Sequence, residues 1–386
     1  MIIRQMNGVT MSGLPLRRNR ALTLGVAGVA AALLLTACGG SSSGGESSSS
    51  AAPSFTLDPK ADLSKQSIVV SNWDNYMDPE TANNFTSTTK ANITVAKHAT
   101  NEEIVGKLTA GGDSGIDVAF VSGQYAQELN AAGLLEPIDP SLVPNLSKLY
   151  PETKSLAYDP GNKFSVPYSW GTTGICYRED LVGSAPTSWN DILNPSANMA
   201  KKTLMLSTQP WLNLPAAKAL GFSANTTDQG QLDQIKAQLL KTKPTLLGFD
   251  DTTFYSRLDS GEAAMAVAWD GWCNYAKNKN VKFVVPKEGA DLWADTMVVL
   301  KSSKNKEAAM AYINFMIDDA EQTWLTDNIL YKSPNKVVAE KATADLGKDF
   351  PNIAMTPAEL AKGEGLIDLG DASKIYQQIA TEVKAS

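Results

Sequence analysis

The sequence predicts an α/β chain folded as two lobes, each a sheet flanked by helices. Three observations carry that expectation. From Ser67 onward, short apolar segments of strand length alternate with amphipathic segments of helix length; the alternation runs twice through the chain; and Trp and Asp recur together where the strand-length segments end. A length of 386 residues fits two domains.

The elements follow in order. Ile68–Trp73 reads as a buried strand, 79–90 as a helix, 93–98 as a strand, and 101–110 as a helix opened by Thr100 with Glu103 three residues on, a capping-box spacing. A third strand covers 116–121, and the helix after it stops at Gly133. Strand and helix alternating in this way indicate a parallel sheet covered on both faces. The middle of the chain repeats the theme with strands at 174–177, 203–207, 246–250, 263–269 and 282–285, separated by helices at 189–193 and 231–242. One more strand at 297–300 precedes an amphipathic helix at 305–317 that sets Ala308, Tyr312, Phe315 and Met316 on one face.

Composition removes several functions. With 34 Lys and Arg against 41 Asp and Glu, the chain carries a formal −7 and shows no basic stripe, so nucleic acid is not an expected partner. One histidine, His98, supplies no His-rich metal site. No Gly-x-Ser-x-Gly, Walker loop or His-Glu-x-x-His is present, so no catalytic residue, metal or cofactor is expected.

The first residues read as an address. Arg17, Arg18 and Arg20 precede an uncharged run from Ala21 to Ala37, which is short for a membrane span and normal for a signal segment. It ends in Leu35-Thr36-Ala37-Cys38, which resembles a bacterial lipobox. The expectation is a signal peptide at 1–37, a diacylglyceryl anchor on Cys38, and export to the outer face of the cytoplasmic membrane. Residues 38–65 then include a Gly/Ser tract that serves as a flexible tether. Outside the cell, Cys176 and Cys273 have even prospects of bridging, because sequence does not reveal their separation.

Two α/β lobes place a cleft between them, and ligands in such sheets gather past the carboxyl ends of the strands. Those positions are aromatic and acidic here: Trp73-Asp74-Asn75-Tyr76, Trp269-Asp270-Gly271-Trp272, Trp293 with Asp295, and the Tyr168-Ser169-Trp170-Gly171 turn. An aromatic face attracts a cation, and a carboxylate beside it adds a charge-assisted hydrogen bond. A small amine or other cation is the expected ligand.

At this point the residues carry a resemblance. Asn72-Trp73-Asp74-Asn75-Tyr76, the run from Phe164 to Gly171, Pro286-Lys287-Glu288-Gly289, Asn305-Lys306-Glu307-Ala308 and Tyr331-Lys332-Ser333-Pro334-Asn335 are similar to the spermidine/putrescine-binding proteins of bacterial ABC importers. The resemblance implies a hinged, two-lobed fold of the type II periplasmic-binding-protein kind. Lobe one would be 66–168 with 296–332, and lobe two 169–295 with 333–386, the chain crossing near Tyr168 and Asp295. It also implies a monomer whose closed form docks on permease subunits driven by a cytoplasmic ATPase. Trp73 and Tyr76 would form one wall of the box, Ser122 would offer a hydroxyl, Trp269 and Trp293 would sandwich the methylene chain, Tyr331 would close the side, and Asp295 would pair with an ammonium. Trp170 is a further ligand-contact candidate.

The departures define the rest of the expected site. Where the resemblance implies an Asp and a Glu, this chain has Gln209 and Leu212; Gln124 stands for an aromatic and Leu366 for a polar contact. Asp74 and Asp270 are then the candidates to replace the lost anions, with a diamine or differently spaced polyamine as ligand. A non-polyamine solute, or a lipoprotein that presents its ligand to a sensor, is the alternative reading.

Overall fold

The structure is a computed structural model that describes residues 57–386. The expected signal segment, the lipidation site Cys38 and the Gly/Ser tract lie outside the described residues. Among the described residues, no helix is long and apolar enough to cross a membrane.

Among the described residues, eleven strands form two mixed sheets: β1 (Ser67–Trp73), β2 (Asn92–His98), β3 (Val118–Ser122), β4 (Val166–Gly171), β5 (Thr173–Arg178), β6 (Thr203–Met205), β7 (Gly248–Phe249), β8 (Met265–Trp269), β9 (Val281–Val284), β10 (Asp291–Val299) and β11 (Glu364–Gly365). The first sheet runs β11-β10-β3-β1-β2, with β4 also on β10; the second runs β7-β6-β8-β5-β9. The expected parallel alternation holds for β2, β1 and β3, but β10 enters antiparallel to both β3 and β4, and β5 is antiparallel to β8 and β9. Antiparallel strands need no helical crossover, so alternation along the chain could not reveal them.

Packing explains the elements. Ile68, Val70, Val118 and Phe120 have no exposed surface, as expected for strands covered on both faces. Helices α1 (Thr81–Thr89), α2 (Asn101–Thr109) and α3 (Gly123–Ala131) follow β1, β2 and β3. At the start of α2 the Thr100 hydroxyl accepts from Glu103 N, while the Glu103 carboxylate reaches back one residue further than a capping box requires, to Ala99 N at 2.7 Å.

The largest mismatch in extent is β10. Only its apolar end was legible, because Asp291 and Asp295 interrupt the hydrophobic pattern; the flanking strands, not local propensity, make the first half a strand. The chain passes from the first sheet to the second between Gly171 and Thr173 and returns between Val284 and Asp291. The Tyr331–Asn335 segment runs beside the first passage, where Trp170 N donates to Lys332 O at 3.3 Å. Cys176 and Cys273 are joined by a disulfide with a Cα separation of 5.8 Å, tying β5 to the turn that follows Trp269.

Candidate functional site

The site is built where β1, β3 and β10 end or cross. Asp295 stands opposite Ser122 in the β3–β10 ladder. The Ser122 hydroxyl donates to Asp295 Oδ1 at 2.8 Å, and the Tyr76 hydroxyl donates to Oδ2 at 2.8 Å. Ser122 is held in turn by Asn101, whose Nδ2 donates to its Oγ at 3.1 Å and whose Oδ1 accepts from its backbone N at 2.9 Å. Burial pushes the Asp295 carboxyl above the ordinary range, and the two hydroxyl bonds oppose that push.

Aromatic rings surround this carboxylate. Tyr76 meets Trp73 edge-on at 5.6 Å and Tyr331 at 6.0 Å, and Tyr331 meets Trp293 at 5.0 Å. Two glycines permit the close approach. A Cβ on Gly171 would stand 2.4 Å from both Asp270 Oδ1 and Trp293 Cζ2, and one on Gly271 would stand 1.5 Å from Tyr331 Cδ1. Trp269, at the end of β8, takes Trp211 as its ring partner at 5.2 Å.

Several expected positions fall elsewhere. Trp170 faces the rear of the passage between the sheets: its Nε1 donates to Ser333 O at 3.2 Å and its ring lies near Tyr150. The cause is strand alternation. Trp170 pairs with Ala294, so it shares the face opposite to Trp293 and Asp295. Asp74 is exposed and ion-paired to Lys97 at 2.5 Å, and so does not supply an anion to the cleft. Asp270 is buried, but its Oδ2 is bound by the Lys332 ammonium, so its charge is already matched. Trp272 lies against Tyr255 and Tyr275 rather than against the box.

Buried polar atoms without a hydrogen-bond partner among the described residues include Trp293 Nε1, Asp270 Oδ1, Gln124 Nε2, and both amide atoms of Gln209 and of Asn213. Leaving such groups unmatched costs about 1–3 kcal/mol each, so they suit a polar guest. Asn101, Asn213, Trp211 and Lys332 escaped the sequence reading as site residues. Trp211 carried a usable signal, since it follows a strand end as the other tryptophans do. Lys332 carried none, because its partner Asp270 is 62 residues away in sequence.

Near the passage between the sheets, Asp291 is wholly buried. Its Oδ1 accepts from Thr173 N at 2.8 Å and its Oδ2 from Trp211 Nε1 at 2.7 Å. Burial pushes its carboxyl up to about 6 despite those bonds.

The pattern of bacterial extracellular solute-binding proteins matches residues 80–354. The spermidine/putrescine-binding periplasmic protein of Salmonella typhimurium is 29% identical over 318 residues, covering 81% of this chain and 90% of that protein. Spermidine/putrescine-binding periplasmic protein 1 of Haemophilus influenzae is 30% identical over 327 residues, covering 84% and 90%. The crystal structure of a spermidine/putrescine ABC transporter substrate-binding protein from Streptococcus pneumoniae superimposes with a TM-score of 0.69 at 28% identity, covering 83% of this chain and 100% of that one.

Proposed function

We propose, starting from the fact that this chain belongs to the bacterial extracellular solute-binding proteins, that it captures a polyamine between its lobes and delivers it to an ABC import permease. The family binds solutes without transforming them, so the site is a binding site and not a catalytic one. One observation carries the ligand class: the Asp295 carboxylate is held by two hydroxyls, has no cationic partner among the described residues, and lies within rings that favour a cation. Relatives that cover most of this chain carry spermidine and putrescine in their names, which supports the same reading.

Asp295 takes the ammonium, Ser122 and Tyr76 orient the carboxylate, and Trp73, Trp269, Trp293 and Tyr331 contact the methylene chain. Gln124 Nε2 and both amide atoms of Gln209 are unmatched and meet the ligand beyond Asp295. Lobe one contains the sheet of β1 to β4, β10 and β11, and lobe two contains the sheet of β5 to β9; the lobes close as a hinge around the passages at 171–173 and 285–290. The protein works as a monomer on the outer face of the cytoplasmic membrane, tethered through lipid on Cys38.

The test is calorimetry of purified protein with putrescine, spermidine, 4-aminobutyrate and glutamate. Saturable binding of a polyamine in preference to the amino acids supports the assignment, and absence of polyamine binding overturns it. The unmatched amides of Gln124, Gln209 and Asn213 favour one second reading, an amine-bearing solute that also carries carbonyl or carboxylate groups. A preference for 4-aminobutyrate would establish that reading instead.

A further inference from the structure

Helices α2 and α3 of the first lobe, with Gln209, Pro210, Asn225 and segment 367–377 of the second, line a half-open cavity of about 360 Å³. Glu102, Glu128 and Asp368 line it, and no lysine or arginine does. The lobes bring these groups together: Asp368 N donates to Gln127 Oε1 at 2.9 Å, across from α3. Burial first, and then the like charges of Asp368 and Glu102, push the Glu128 carboxyl upward. Glu102 accepts from the Tyr125 hydroxyl at 2.8 Å and Asp368 from Gly370 N at 2.8 Å, which are neutral donors that leave the negative charge unmatched.

A second observation points to a guest. Gln124 and Gln209, only 8% and 5% exposed, line the same cavity. Gln124 Nε2 and both amide atoms of Gln209 have no hydrogen-bond partner among the described residues. The cavity lies along the same helix that begins at the residue holding Asp295. Ser122, which holds Asp295, stands at the N-cap position of α3, and Gln124 and Glu128 stand one turn apart on one face of that helix. From Ser122 to Glu128 the helix rises roughly 9 Å, at about 1.5 Å per residue. A linear ligand running along α3 from its first turn would meet Gln124 before Glu128.

We propose that this acidic cavity is an outer subsite for the distal ammonium of a linear polyamine whose first ammonium lies on Asp295. The proposal rests on the polyamine reading and deepens it: charge at Glu102, Glu128 and Asp368 selects longer polyamines over diamines, while Gln124 and Gln209 donate to and accept from the ligand between the two ends. Asp74 and Asp270, which the sequence suggested as supplementary anions, are matched by Lys97 and Lys332. The three carboxylates at the mouth take that part.

Calorimetry with spermidine and putrescine on wild type, Glu128→Gln, Asp368→Asn, the double variant and Asp295→Asn tests this. The double variant is expected to lower the spermidine-to-putrescine affinity ratio about tenfold, with an unaltered circular dichroism spectrum. A ratio within about twofold of wild type overturns the subsite. Loss of both ligands in Asp295→Asn, with that ratio unmoved in the double variant, would leave the polyamine reading standing without the subsite. Wild-type protein that binds neither amine would remove the polyamine reading and the subsite together.

Discussion

Ser122 faces Asp295 across the β3–β10 ladder and donates its hydroxyl to the carboxylate at 2.8 Å. One antiparallel pairing therefore joins two residues 173 positions apart into the centre of the candidate site. Ser122 also stands at the N-cap position of α3, so strand, helix and the Asp295 carboxylate meet at one residue.

Asp295→Asn keeps the shape of that centre and removes its charge. Polyamine affinity is expected to fall by about 1.5–3 kcal/mol, the typical contribution of a hydrogen bond to a charged group. Calorimetry reads this directly; an unchanged dissociation constant would place the ammonium elsewhere. Because burial raises the Asp295 carboxyl, lowering the pH through its elevated range should protonate it and weaken binding before an ordinary aspartate would titrate.

Lys332 and Asp270 form a buried ion pair, with side chains 4% and 2% exposed. Lys332→Met alone strands the Asp270 charge and is expected to destabilise the fold by about 3–5 kcal/mol. Adding Asp270→Asn should recover part of the loss, because the stranded charge is then gone. Thermal melts of both single variants and the double variant give the coupling; strictly additive effects would show that the pair does not act as a unit.

Asp291 gives the fold a pH dependence of definite sign. Its carboxyl is raised from an ordinary 3.8 to about 6, so between those values the folded state holds more protons than the unfolded state. Its contribution to stability is therefore fully present below about 4 and declines as pH rises through about 6, by on the order of 3 kcal/mol. Asp291→Asn should remove that part of the slope. Denaturant melts of both proteins from pH 4 to 7 test it, and parallel curves would refute it.

Cys38→Ala should shift the protein from the membrane fraction to the soluble extracytoplasmic fraction, because a protein with no lipid and a cleaved signal segment keeps no anchor. Fractionation followed by immunoblotting decides the matter; protein that stays with the membrane would refute lipid attachment at this residue.

Much of the framework was legible because it rests on local pattern. The strands at β1, β2, β3, β5 and β8 and the helix Lys306–Met316 follow hydrophobic periodicity, which local sequence carries. The Trp and Asp residues at strand ends also marked the neighbourhood of the site. Trp170 shows the limit of that reading. It belongs to the right segment, yet the register of β4 on β10 turns it to the rear while Trp293 and Asp295 share the other face. Only the pairing partner decides that face, and the partner is more than 120 positions away.

The same division separates the carboxylates. Sequence alone determined the kind of protein: an acidic chain with two α/β lobes and indoles beside acids at strand ends. The tertiary structure decided which acids have a cationic partner, because it placed Lys97 on Asp74 and Lys332 on Asp270, left Asp295 with two hydroxyls, and gathered Glu102, Glu128 and Asp368 around one cavity. The reason is physical: periodicity is a property of neighbouring residues, whereas neutralisation of a charge depends on what long-range folding brings within hydrogen-bonding distance.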